Sequence, residues 1–299
     1  MIQVDAINNI QNIVKGMCMV DEPLCKHTTF NIGGNVALWI EPADKEDLKN
    51  VLKEIQENGL TWRLIGNGSN ILAGEYNLPD VVIKLINFKS IDIDGSLIHA
   101  GSGISLAKLI GFAIEYGLSG LEFAAGIPGF VGGAIKGNAG AHGRNIGDIL
   151  KEIEVMNSDG EISIISRNEI NFDYRKSDIN DNLIVLGGTF NLVQGDKNKI
   201  QELVKGYLVK RKENYPSEPN AGSVFKNPSG AKAGEIIDKL GLKGFRIGNA
   251  MVSYQHANMI VNVGGAKAQD VRELIKYIQD KVNEKTGINL DPEIIFLGE

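Results

Sequence analysis

Three side chains in this 299-residue chain have the type and setting to handle charge. Arg175 follows Tyr174 in N-F-D-Y-R-K-S, near the start of a strand. A guanidinium there can fork onto a carboxylate through parallel N–H donors, or it can hold a surface ion pair; residue type leaves both open. Ser223 lies in A-G-S-V-F-K-N, with Lys226 and Asn227 just beyond. A serine in so apolar a strand is ordinarily structural. Glu293 stands in D-P-E-I-I-F-L-G, an otherwise apolar terminal strand, where a carboxylate needs a partner or a raised pKa.

The densest signal is the stretch A-A-G-I-P-G-F-V-G-G-A-I-K-G-N-A-G-A-H-G, residues 124–143, with eight glycines from Gly126 to Gly147. Glycine costs backbone entropy, so such a run persists where conformation or close approach requires it. Its N–H groups suit phosphate oxygens, as nests or as a helix N-terminus. A solvated linker would carry Ser, Lys or Glu, whereas Ile127, Phe130, Val131, Ala134 and Ile135 are interleaved here. A buried, glycine-rich wrap around a large phosphate-bearing cofactor is expected.

Several chemistries are excluded. There is no G-x-S-x-G elbow, no HExxH and no paired Cys/His ligand set, so no metal site is expected. The histidines at 27, 99, 142 and 256 are scattered, and Cys18 and Cys25 fit no zinc or redox spacing. G-N-G-S-N (66–70) and G-S-G-I-S-L (101–106) fail the Rossmann fingerprint, with Ile71 and Leu106 at its third glycine, and no Gly-Lys-Ser/Thr of a P-loop occurs. A net charge of −6 argues against nucleic acid as the main partner. No apolar run is long enough for a membrane span, and the N-terminus lacks a signal-peptide core, so a cytoplasmic, reduced protein is expected.

These residues must be positioned by mixed helices and strands. Helical spacing appears over 4–15, after the cap Asp44 as far as Gly59, from Leu106 to Gly117, from Ile200 to Leu208, and near 232–240 and 267–285. Strands are expected at M-C-M-V, Val36–Ile40, T-W-R-L-I and V-V-I-K-L. Others are I-D-I-D-G with S-L-I-H-A, a hairpin over 153–165, Leu183–Leu192, and near 250–253, 257–263 and 290–297. Residues 215–228 read as a proline-flanked loop around a short strand, and Q-G-D-K-N-K (194–199) as a domain boundary. The order is α+β, not a clean βαβ repeat.

H-T-T-F-N-I-G-G, I-G-N-G-S-N-I-L, A-G-I-P-G-F-V-G-G-A-I-K-G-N-A-G-A, F-D-Y-R-K-S, A-G-S-V-F-K-N-P, H-A-N-M-I-V-N and D-P-E-I-I-F follow one another along the chain. Together they resemble the ordered motif set of the UDP-N-acetylenolpyruvoylglucosamine reductase family, in its shorter subtype. Asn31, Lys136, Gly137 and His142 depart from the usual family pattern. The resemblance implies the FAD-binding fold of the vanillyl-alcohol oxidase type over residues 20–195, with subdomains of about 20–80 and 81–195. An N-terminal segment, 1–19, precedes it and a substrate domain, 196–299, follows it.

The resemblance also implies roles. Ser223 would protonate C2 of the substrate, while Arg175 and Glu293 would polarise it and stabilise an enol-like intermediate. Tyr174, Arg175, Lys226 and Asn227 would contact substrate. Gly66, Asn67, Gly68, Ser69 and Asn70 would hold non-covalent FAD, together with Ala125, Gly126, Ile127, Pro128, Gly129, Gly132, Gly133, Asn138 and Gly140. NADPH would be the co-substrate and the enolpyruvyl ether of UDP-N-acetylglucosamine the substrate, in a monomeric UDP-N-acetylmuramate dehydrogenase of peptidoglycan synthesis. The alternatives are an FAD oxidase of the same fold, with His142 as the nearest residue for covalent attachment, and a non-enzymatic nucleotide-sugar sensor.

Overall fold

The computed structural model describes residues 4–298, and the chain forms two compact units. The first takes in residues up to Glu22, Ala37–Asn67 and Pro79–Val209; the second takes in Pro23–Val36, Gly68–Leu78 and Lys210 onward. Compactness therefore divides the chain elsewhere than at the expected spans 1–19, 20–195 and 196–299. The polar run at 194–199 leads into a helix that continues past Val209.

The first unit opens with helix α1 (Val4–Ile13) and a sheet ordered Met17–Pro23, Asn35–Glu41, Leu78–Ile83, Trp62–Leu64. Trp62–Leu64 runs parallel to its neighbour. Helix α2 (Lys45–Glu57) starts where Asp44 accepts the Asp47 N–H at 2.8 Å, and it buries Leu48, Val51, Leu52 and Ile55. Each such side chain stabilises by roughly 1.5–3 kcal/mol when fully buried. Asp47 is itself buried and accepts the N–H groups of Lys15, Gly16 and Ala43 at 3.0, 2.9 and 2.8 Å, which fixes the turn after α1.

A five-stranded antiparallel sheet follows, ordered Ile162–Ser166, Leu150–Met156, Ile184–Asn191, Leu97–Gly101, Ile91–Asp94. Gly95, at φ 59°, makes the tight turn of its last hairpin. Helices α3 (Leu106–Glu115), capped by Ser105, and α4 (Val131–Lys136) belong to this unit, as does the start of α5 (Lys197–Asn214). Ile98, Leu109, Ile135, Ile153 and Phe190 are fully buried at its centre.

In the second unit Ile71–Ala73 pairs in parallel with Ile295–Leu297. Arg246–Ile247, Ala250–Val252 and Ile260–Asn262 form an antiparallel sheet. Helices α6 (Ala233–Lys239) and α7 (Ala268–Thr286) pack on a core of Phe30, Leu72, Phe225, Ile237, Val271 and Leu274. Two expected strands differ. Residues 215–228 contain only isolated bridges, at Asn220 and Phe225, and the terminal strand begins at Ile295, so Glu293 precedes it.

Candidate functional site

The glycine-rich stretch is a short turn of helix, Glu122–Ala124, a loop, and then α4. Gly126 at φ 77° and Gly129 at φ 156° hold conformations that side chains avoid. The expected outward nest of N–H groups is corrected at two positions: Val131 donates to the Ile104 carbonyl at 2.8 Å and Gly132 to that of Ser102 at 3.0 Å. A Cβ on Gly132 would lie 2.9 Å from that of Ser102, so this glycine is needed for close approach.

Gly133 and Gly66 are different. Their φ is ordinary and a Cβ at either would meet nothing within 4 Å. The chain itself therefore does not require them to be glycine. Beside Gly132, Ser102 is buried, and among the described residues its hydroxyl has no hydrogen-bond partner. A buried hydroxyl without a partner is costly, and an incoming polar group would satisfy it. Bare backbone and an unused donor fit a phosphate-bearing cofactor such as FAD.

Arg175 lies at the tip of a two-stranded hairpin, Phe172–Asp173 with Lys176–Ser177, directly before the start of its second strand. Its φ of 57° is left-handed, a strained state for a side-chain-bearing residue that surrounding structure must impose. Nη1 of Arg175 donates to the Gly140 carbonyl at 2.7 Å, and its guanidinium lies 5.4 Å over the Tyr174 ring. Asn138 is buried, donates to the Asp173 carbonyl at 2.9 Å and accepts the Gly147 N–H at 3.0 Å. Ser177 donates to the Lys136 carbonyl at 2.7 Å. Thus Asn138 and Gly140, both expected at the cofactor, anchor the arginine hairpin. His142 is exposed, and its ring stacks on Tyr207 at 3.8 Å.

In the second unit, Gly68 at φ 63° lets the H-T-T-F loop approach; a Cβ would meet the His27 carbonyl at 2.1 Å. Thr29 donates its hydroxyl to the Asn220 carbonyl at 2.7 Å and its N–H to that of Gly68 at 3.2 Å. The Asn70 amide donates to the Glu293 carbonyl at 3.0 Å. Glu293 in turn donates its N–H to the Val224 carbonyl at 2.7 Å, beside Ser223. Asn70, Ser223 and Glu293 are thereby brought together. The Asn258 amide caps both backbone groups of Phe225, at 3.0 and 2.8 Å, and its carbonyl accepts the Val224 N–H at 2.8 Å. Side-chain amides therefore replace the ladder that a strand here would have had. Lys226 donates its N–H to the Asp291 carbonyl at 2.9 Å, and Asn227 accepts the Ala233 N–H at 3.1 Å, at the start of α6.

Sequence reasoning missed one further cluster. The Arg211 guanidinium lies 4.3 Å over the Tyr215 ring, which stacks on His256 at 5.1 Å. Burial, and then the charges of Lys243 and Arg211, hold the His256 imidazole below its ordinary pKa, and its buried Nδ1 has no hydrogen-bond partner among the described residues. Lys243 pairs with Asp238 at 2.7 Å. Cations around an unsatisfied imidazole suit an anionic group. The signal available was Arg211 in the last turn of α5 and Tyr215, four residues on and directly after it, whose N–H donates to the Arg211 carbonyl at 2.9 Å.

Comparison with known proteins agrees with this architecture. Residues 36–166 match the FAD binding domain family, and residues 214–297 match the C-terminal domain of UDP-N-acetylenolpyruvoylglucosamine reductase. The reductase of Halalkalibacterium halodurans is 41% identical over 296 residues, 98% of each chain. That of Desulforamulus reducens is 41% identical over the full length of both. The crystal structure of the Thermus caldophilus reductase superposes with a TM-score of 0.80 at 35% identity, covering 95% of this chain and 99% of that one.

Fold and site together define an FAD-binding oxidoreductase of the vanillyl-alcohol oxidase type, with an added C-terminal α+β domain. Within that class, the chain belongs to the UDP-N-acetylenolpyruvoylglucosamine reductase family and is an enzyme of peptidoglycan synthesis. Among the described residues no helix is long and apolar enough to cross a membrane.

Proposed function

We propose that this enzyme uses NADPH and non-covalent FAD to reduce the enolpyruvyl ether of UDP-N-acetylglucosamine to UDP-N-acetylmuramate, acting as a cytoplasmic monomer. The reading is supported by the full-length relatives and by two hydrogen bonds of Glu293, one from the Asn70 side-chain amide to its carbonyl and one from its N–H to the Val224 carbonyl, beside Ser223. When bound, FAD supplies the hydride, taken from NADPH and delivered to the vinyl C3. Gly66–Asn70 hold it with Ala125–Gly129, Gly132, Gly133, Asn138 and Gly140, and Ser102 adds a hydroxyl that no other group uses among the described residues.

The protein supplies the rest. Hydride addition leaves charge on the carboxylate side of the substrate, and a planar guanidinium held by the Gly140 carbonyl is suited to that charge. This is the role of Arg175. A proton must reach C2 from a positioned donor, which is Ser223. Glu293 steadies the enol form, and Tyr174, Lys226 and Asn227 contact the substrate. Arg211, Lys243 and His256 receive the diphosphate of the nucleotide sugar. The single observation carrying the reading is the Glu293 N–H on the Val224 carbonyl, which keeps the glutamate beside the serine.

The test is a spectrum of the purified protein followed by NADPH oxidation with and without the enolpyruvyl sugar. A flavin spectrum, flavin released by acid precipitation and sugar-dependent oxidation are expected. Oxidation that consumes oxygen and ignores the sugar would establish the oxidase instead.

A further inference from the structure

We propose that Lys84 receives a phosphate of the bound dinucleotide, a role that rests on the FAD reading above. Lys84 directly follows the strand Leu78–Ile83, and its N–H donates to the Ile40 carbonyl at 2.9 Å. Its ammonium lies 5.4 Å over the Trp39 ring and 5.9 Å over that of Phe130. Phe130 is the residue that precedes α4 in the glycine-rich stretch. The lysine thus points into the wall that the glycines form.

Among the described residues this ammonium has no hydrogen bond and no ion pair, only the two aromatic faces and the field of Glu41. The Glu41 carboxylate itself takes the Trp39 indole N–H at 3.1 Å. Burial lowers the Lys84 pKa, and Glu41 only partly offsets this. A half-buried ammonium without an acceptor is unfavourable, and an incoming anion removes the penalty.

Two neighbours share the wall. The carbonyls of Leu85 and Ile86 lie 2.2 and 3.0 Å from where a Cβ on Gly103 would stand, so the segment after Lys84 lies directly against the 101–104 loop. That loop carries the Ser102 hydroxyl without a partner and accepts the Gly132 N–H, next to the open Gly133. An ammonium, a hydroxyl and bare backbone make a donor set for phosphate; a flavin ring would call for a flat apolar face.

The test compares FAD with riboflavin, which lacks phosphate, by quenching of flavin fluorescence on the full chain stripped of flavin. Lys84→Met should weaken FAD about tenfold or more, the usual scale for a hydrogen bond to a charged group, and leave riboflavin unchanged. Lys84→Arg, which keeps the charge and the aromatic contacts, should stay within a few-fold of wild type. Ser102→Ala should likewise weaken FAD alone, which covers the case of a Lys84→Met protein that does not fold. Equal losses for FAD and riboflavin, wild-type FAD affinity in Lys84→Met, or a shift in reduction potential with unchanged affinity would overturn the proposal. If the wild-type protein takes up neither flavin, the FAD reading falls and this role with it.

Discussion

The side-chain amide of Asn70 donates to the backbone carbonyl of Glu293 at 3.0 Å, across 223 residues of chain. One bond therefore joins the G-N-G-S-N loop, expected at the cofactor, to the glutamate expected at the substrate. Asn70→Ala should cost about 1 kcal/mol of stability, the size of a typical hydrogen bond. Asn70→Asp should cost more, because it sets a carboxylate oxygen against a carbonyl. Thermal melts and single-turnover reoxidation check this, and both variants should slow the step that uses Glu293 more than flavin reduction.

Gly132 and Gly133 should respond oppositely to alanine. Gly132→Ala forces its methyl against Ser102 and should destabilise by roughly 1–3 kcal/mol, as overpacking does. Gly133→Ala enters open space within α4, where alanine is favoured by up to about 1 kcal/mol. The flavin-free protein should therefore melt no lower than wild type, while FAD binds more weakly.

Arg175→Lys keeps the charge and loses both the planar fork and the anchor on Gly140. Turnover should fall by roughly 10²–10³-fold, the scale of a lost electrostatic donor, with a smaller change in KM. Steady-state kinetics measure this, and near-wild-type turnover would remove Arg175 from the chemistry.

The imidazole of His256 carries a folded-state pKa below its ordinary value, through burial and then the charges of Lys243 and Arg211. The unfolded chain thus binds a proton more readily, so stability falls as pH drops below the unfolded value of about 6.5 and levels off below the folded one. His256→Gln should remove this acid sensitivity in melts across that window. Bound nucleotide sugar, by supplying an anion, should raise the His256 pKa in wild type, as NMR titration would show.

Much of this was legible because it is local. Asp44 caps α2 and Gly95 turns the 91–101 hairpin as their types require. The glycine run marked the loop that anchors Arg175. What was not legible depends on pairing across the chain. The A-G-S-V-F segment forms no strand because Asn258, 33 residues on from Phe225, replaces a ladder with its amide. Ser102 was passed over because its loop failed a dinucleotide fingerprint; its lack of a partner becomes visible only once its burial is known. Arg211 and His256 lie 45 residues apart in the chain and are brought to the Tyr215 ring only by the fold.

Stopped-flow absorbance of the two half-reactions in Ser223→Ala tests the central claim most directly. Flavin bleaching by NADPH needs no proton from this serine and should proceed at nearly the normal rate. Reoxidation by the enolpyruvyl sugar needs a proton at C2 and should slow by roughly 10²-fold or more, with Ser223→Cys retaining more activity than alanine. Equal slowing of both halves would contradict the account and make Ser223 a packing residue.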